Sequence, residues 1–141
     1  MNVAVVSKGL SRAIALVAMA MLLAYAAGFV VRLPFPPPWA DVAFLASGIA
    51  LWIGPPKRGW QMVVFAICAA VVMAIGSVGY FEHISGINFG IDRFLFPRQL
   101  LTTVVHPGRP GQMLCANLIL IAIELVFLPA AGAWTRQLGE A

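Results

Sequence analysis

The chain has 141 residues, 62% of them hydrophobic and 10% charged, with a formal net charge of +4. Soluble domains carry about 25% charged residues, and a mean hydropathy of +0.95 leaves this chain without the polar surface to cover a core in water. Its nine Lys and Arg stand singly or in pairs, which suits anchoring at a membrane edge and not the basic stripe of a nucleic-acid binder.

Charges and prolines divide the sequence into four apolar stretches. A helix crossing the hydrocarbon core needs about 20 apolar residues at 1.5 Å rise each. The first stretch, Ala13 to Val31, carries no charge and follows Lys8 and Arg12. It is long enough to cross, and a helix is expected over about 10–31. The small-residue motif Ala24-Tyr25-Ala26 resembles a signal cleavage site, but the apolar run continues through Val31, longer than a signal core. The segment RLPFPPPW, Arg32 to Trp39, is then extended, because its prolines cannot continue a helix. It places Phe35 and Trp39 near the headgroups.

The second stretch, Val42 to Gly54, is short for a span. It crosses only if Trp39 and Asp41 lie at one interface and Pro55-Pro56 at the other, giving a helix over about 38–54. GPPKRGW, Gly54 to Trp60, is a tight turn: Gly-Pro-Pro ends one helix, Lys57 and Arg58 mark the surface, and Trp60 anchors the next. The third stretch is uncharged from Gly59 to Phe81, with a helix expected over about 59–82. Its Ala66, Ala70 and Ala74 recur at helical spacing and predict close approach of another helix, inside the bundle or in a dimer. The fourth begins near Gln112 and reaches Trp134, interrupted by Glu124 and Pro129, with a helix expected over about 112–134. Backbone groups in hydrocarbon must be satisfied internally, so all four are helical. The expected fold is a single all-α domain over 1–141, an integral membrane bundle of four transmembrane helices with a structured interfacial loop at 83–111.

Orientation follows from Lys and Arg. With the N-terminus inside, Lys8, Arg12, Lys57, Arg58 and Arg136 are cytoplasmic, and Arg32, Arg93, Arg98 and Arg109 are outside. The first-helix flank usually dominates and is more basic before Ala13 than after Val31, so both termini are expected in the cytoplasm. Cys68 and Cys115 fall within apolar runs without CxxC spacing and read as small buried hydrophobes.

The long connection is dense. Asp92, Arg93 and Arg98 stand among Ile87, Phe89, Ile91, Phe94, Leu95, Phe96 and Leu100, a set too apolar for bulk water. Gly86 and Gly90 permit tight turns, Pro97 forbids a long helix, and Asp92 is placed to cap the backbone after it. The expected picture has aromatics pointing into the bundle mouth and charges facing headgroups or each other. Within the spans, Glu124 is the deep ionisable residue, and such residues normally face the bundle interior. Asn117, seven residues earlier, shares its helix face. Together they form an intramembrane polar stripe, either a neutral carboxyl bonding another helix or a second subunit, or a proton or cation site. His83 and His106 flank the loop without a haem or metal arrangement. No triad, phosphate loop or clustered metal ligands appear, so no catalytic residue, metal or cofactor is expected.

The stretch from Gly79 to Leu125, beginning GYFEHISGINFGIDRFLFPRQL, resembles the multi-pass N-terminal sensor regions (MASE-like) of bacterial membrane-bound signalling proteins, which precede histidine-kinase, PAS or GGDEF modules. The matching positions are Glu82, Gly86, Gly90, Ile91, Asp92, Leu95, Phe96, Pro107, Gly108, Arg109 and Met113, about a third of the chain as a segment. The sequence departs from the pattern in Pro110-Gly111, inserted between arginine and methionine, and in carrying no output module before Ala141. The resemblance implies a membrane input or interaction module of signal transduction in the bacterial inner membrane, non-catalytic by itself. It also implies a sensing loop, whose candidate residues are the matched Glu82, Gly90, Asp92, Phe96 and Arg109 together with the loop charges Arg93 and Arg98. The expected partners are the lipid bilayer and either a second copy or a cytoplasmic signalling protein, with no nucleic acid. The alternative from the residues alone is a small transporter or membrane-complex subunit that uses Glu124.

Overall fold

The computed structural model describes the backbone of residues 3–28, 37–90, 95 and 110–139, and the side chains of 9–28, 37–90, 95 and 110–127. These residues form four helices and no strand: α1 (Val3–Ala26), α2 (Pro38–Ile53), α3 (Gly59–Ser85) and α4 (Gln112–Gly139). The all-α expectation and the order of elements stand.

The boundaries are set by local chemistry. The chain after α1 turns at Gly28, in the left-handed region at φ 74°, so the first helix closes at Ala26 and not near residue 31. At its other end Lys8 and Arg12 do not break it, and it begins at Val3. Helix α2 opens on Pro38 at its first position, where the missing N–H costs nothing and φ is already helical. It stops at Gly54, whose φ of 67° lets its N–H reach Ala50 O at 3.0 Å. At the start of α3, Gln61 Oε1 accepts the N–H groups of Lys57 at 3.0 Å and Arg58 at 3.1 Å, satisfying donors that have no intrahelical partner. Helix α3 runs one turn further than expected, to Ser85, and ends at Gly86 with φ 69°. Helix α4 continues through Pro129 to Gly139.

The helices run up and down in sequence. Arg12 stacks on Trp52 with its guanidinium carbon 5.3 Å from the ring centroid, and a Cβ on Gly48 would lie 2.9 Å from Ala15 Cβ; α1 and α2 are therefore antiparallel. A Cβ on Gly76 would meet Cys115 O and Ile119 N at 3.0 Å, and one on Gly79 would meet Cys115 Sγ at 2.7 Å. His83 lies against Pro110, so α3 and α4 are antiparallel too. The core is shared by Ala43, Ala46 and Ala50 of α2, Phe65, Cys68, Ala69, Val72 and Ile75 of α3, and Leu118, Ala122 and Leu125 of α4. Cys68 and Cys115 are both buried, as expected of small apolar residues.

Close approach is carried by different small residues from those expected. Ala66, Ala70 and Ala74 all face outward; the contact face of α3 is the one bearing Gly76 and Gly79. A helix of 3.6 residues per turn cannot present both sets to one neighbour, and glycine admits the α4 backbone where alanine does not.

Large apolar side chains cover the outside. Leu16, Leu23, Trp60, Val63, Ile67, Ile84, Met113, Val126 and Phe127 are all exposed. Two helices contain segments long and apolar enough to cross a membrane, Gly9–Ala26 and Gly59–Ser85. Helix α2 and the apolar part of α4, Gln112–Phe127, are shorter. The two long segments are mostly outward-facing, unlike the core helix of a water-soluble protein.

Candidate functional site at the loop end of the bundle

Three groups of polar residues interrupt this apolar structure. The first is at the end of α3. Glu82 is 1% exposed, and its Oε1 accepts the backbone N–H of Phe89 at 2.8 Å. Gly86 reverses the chain just after α3, which brings residue 89 back over the last turn. Ser85 Oγ donates to Phe81 O at 2.8 Å and accepts from Ile87 N–H at 3.2 Å. Asn88 Oδ1 accepts from Gly90 N–H at 2.7 Å, a side-chain turn that leaves Gly90 at φ 73°. The Phe89 ring stacks on Phe81 with centroids 6.1 Å apart.

The next residue, His83, holds the other end of the same connection. Its Nε2 is 3.0 Å from Pro110 O; a carbonyl oxygen only accepts, so Nε2 carries hydrogen and donates there. Cys115 Sγ also points at this carbonyl, at 3.4 Å. Glu82 and His83, adjacent in sequence, thus fasten the exit from α3 and the entry to α4.

Of the residues expected in the sensing loop, Glu82 is buried and ties the backbone, and Gly90 makes the tight turn. Asp92, Arg93, Phe96, Arg98 and Arg109 lie outside the described residues. The expected inward orientation of the aromatics fails for Phe89, which is 56% exposed; the loop start folds back on α3 by its backbone and leaves this side chain outside, as it does Ile87. Leu95 is half-buried.

The second group is Asn117 and Glu124, both exposed on α4. The expectation that Glu124 faces the bundle interior is therefore corrected. Leu118, Ala122 and Leu125 are the buried positions of α4, and Glu124 falls beside that stripe. It borders an open cavity of about 240 Å³ between α1, α2 and α4, with Ile14, Phe44, Ser47 and Leu51. The Ser47 hydroxyl donates to Ala43 O at 2.8 Å.

The third group was not expected as a site. Asp41 is 2% exposed in the first turn of α2, where sequence placed it at the headgroups. Its Oδ2 has no hydrogen-bond partner among the described residues. Tyr25, buried at the end of α1, lies within electrostatic reach of it. Asp41 also borders a cavity of about 390 Å³ whose other walls include Ile14, Val17, Ala18 and Met21 of α1 and Phe44 of α2. The sequence signal was an acidic residue placed just after Pro37-Pro38 and ahead of an uncharged apolar run.

Among the described residues, no three His, Cys, Asp or Glu are grouped to hold a metal ion. No protein-family model matches the chain, and neither the curated proteins nor the solved structures contain a match to it.

Proposed function

We propose that the chain is a four-span membrane module of bacterial signalling, non-catalytic by itself, seated in the inner membrane with both termini in the cytoplasm. The observation that carries this is the double fastening by adjacent residues, Glu82 to Phe89 and His83 to Pro110. A change in the connection between α3 and α4 then acts on both helix ends at once. The close contact of Gly76 and Gly79 with Cys115 and Ile119 couples a shift of one helix to the other, because packed interfaces move between discrete arrangements. The resemblance of the Glu82–Met113 segment to sensor regions points to the same end of the bundle. The partner is a cytoplasmic signalling protein or a second copy.

The test is a chimera with a diguanylate cyclase module joined after Ala141. Its output should change when Glu82→Ala or His83→Ala releases the connection, at equal protein level in the membrane. Output identical to that of the unlinked cyclase, in the parent and in both variants, would refute an input role.

A second function is favoured by the placement of Glu124 beside a cavity formed by three helices: a small transporter or a subunit of a membrane complex. Proton-coupled uptake removed by Glu124→Gln, with the protein intact, would replace the signalling function by this one.

A further inference from the structure

Asn117 and Glu124 are exposed on α4, and neither side chain has a polar partner among the described residues. Glu124 stands about 18 Å along α4 from Gln112. In the spanning arrangement that is close to the middle of a hydrocarbon core about 30 Å thick. Lipid tails offer neither donor nor acceptor at this depth. A polar side chain facing them costs free energy that a hydrogen bond to another helix removes. Among the described residues, no other helix of the chain supplies that bond.

The neighbours of these two residues define a seam. Met113, Asn117, Leu120, Glu124 and Phe127 are all exposed, and they are spaced four, three, four and three residues apart. This is the 3.5-residue repeat by which two helices pack along their length. The buried positions Cys115, Leu118, Ala122 and Leu125 lie about 160° away around the helix, at 3.6 residues per turn. Helix α4 thus carries two seams, one packed against the chain's own core and one facing out. Asn117 and Glu124 occupy the same position in successive repeats of the outer seam. A polar residue at such a position fixes register and the number of strands.

A two-fold axis sets each residue of a seam against its own counterpart. The Asn117 amide both donates and accepts, so two copies satisfy one another across the axis. A pair of Glu124 side chains bonds when one carboxyl carries a proton, since two carboxylates supply acceptors only. The outward alanines of α3, Ala66, Ala70 and Ala74, form a rival face, but they carry no group that demands a partner.

We propose that the outer face of α4 is the surface on which two copies of this chain associate, as a parallel pair of α4 helices joined at Asn117 and Glu124. The proposal rests on the membrane-spanning arrangement and names the second copy as the partner within it.

The test begins with a cysteine placed at Leu120, on the seam, or at Ala70, on the rival face, in the full chain; the two natural cysteines are buried. On oxidation in membranes, Leu120→Cys should yield a disulfide-linked dimer and Ala70→Cys should not. Förster transfer between labelled copies in mild detergent should report a dimer, and Asn117→Leu should weaken it about ten-fold through the lost interhelical hydrogen bonds. Asn117→Gln keeps the amide and should restore most of the affinity, which a contact made by packing alone would not do. Cross-linking at Ala70 in place of Leu120 would overturn the proposal. So would a chain that stays monomeric at the highest protein-to-detergent ratio, or equal association of the Asn117→Leu and unaltered proteins. A dimer with a silent cyclase chimera refutes the signalling function and leaves the interface standing. A monomer retained in membranes washed with alkaline carbonate refutes the interface alone, whereas release by that wash refutes the spanning arrangement and the interface with it.

Discussion

The contact between Gly79 and Cys115 offers a sharp test of how α3 and α4 are held. A Cβ at position 79 would lie 2.7 Å from Cys115 Sγ but 3.9 Å from Cys115 Cβ. The clash is thus with one sulfur atom, and an alanine at 115 would turn it into an ordinary contact. Gly79→Ala alone suffers overpacking of about 1–3 kcal/mol, offset by about 0.5–1 kcal/mol from the better helix former; the expected net loss is about 0–2.5 kcal/mol. Cys115→Ala alone gives up the buried sulfur and its approach to Pro110 O, at about 1 kcal/mol. The double variant removes the clash and keeps the helix gain, so it should be as stable as Cys115→Ala or better, with a favourable coupling of about 1–3 kcal/mol. The assay is unfolding of the purified chain in mixed micelles by SDS titration, followed by circular dichroism. Additivity of the two changes within about 0.5 kcal/mol would refute the close α3–α4 approach. Gly76→Ala supplies the contrast: it meets Cys115 O and Ile119 N, backbone atoms that no substitution at 115 removes, so Cys115→Ala should not rescue it.

Glu82→Ala should strip Phe89 N–H of its acceptor at about 1–3 kcal/mol and speed labelling of a cysteine placed at Ile87, whereas Glu82→Gln keeps an acceptor and should fall between; equal labelling rates in all three would show that Glu82 does not hold the loop. Glu124→Gln should leave membrane insertion and the unfolding midpoint nearly unchanged, because the side chain is exposed on α4; loss of a stable bundle would place Glu124 in a buried bond. Reporter fusions after Ala141 and within 102–105 should report cytoplasm and exterior respectively, and a cytoplasmic signal from the second would reverse the orientation.

The helices were legible in the sequence because their ends are written in residues with strong local effects. Pro38, Gly54 and Gly86 stop or start helices through their own backbone preferences, whatever surrounds them. Which face turns inward was not legible. In a chain whose exterior is as apolar as its core, Ala66 and Ala70 outside look like Ala69 inside, and periodicity carries no contrast to separate them. Glu124 failed for the same reason: its neighbours Ile123 and Leu125 gave no indication of which side was the bundle. The burial of Asp41 depends on α1 folding back beside it, a non-local event with no local signature. Glu82 was singled out, but its bond to Phe89 N–H required the reversal at Gly86 to bring the two together.

The brevity of α2 has a mechanical consequence in a four-span arrangement. Its 16 residues reach about 24 Å, against about 36 Å for the 24 of α1 and about 40 Å for the 27 of α3. A bilayer core is about 30 Å thick. Because α2 packs against both long neighbours, a bilayer spanned by all four helices would be drawn inward beside it by about 6 Å, while α1 and α3 would tilt or project. Such mismatch costs fractions of a kcal/mol per Å. In that arrangement the protein would press on its surroundings, and membrane thickness would press back on the helix that holds Asp41.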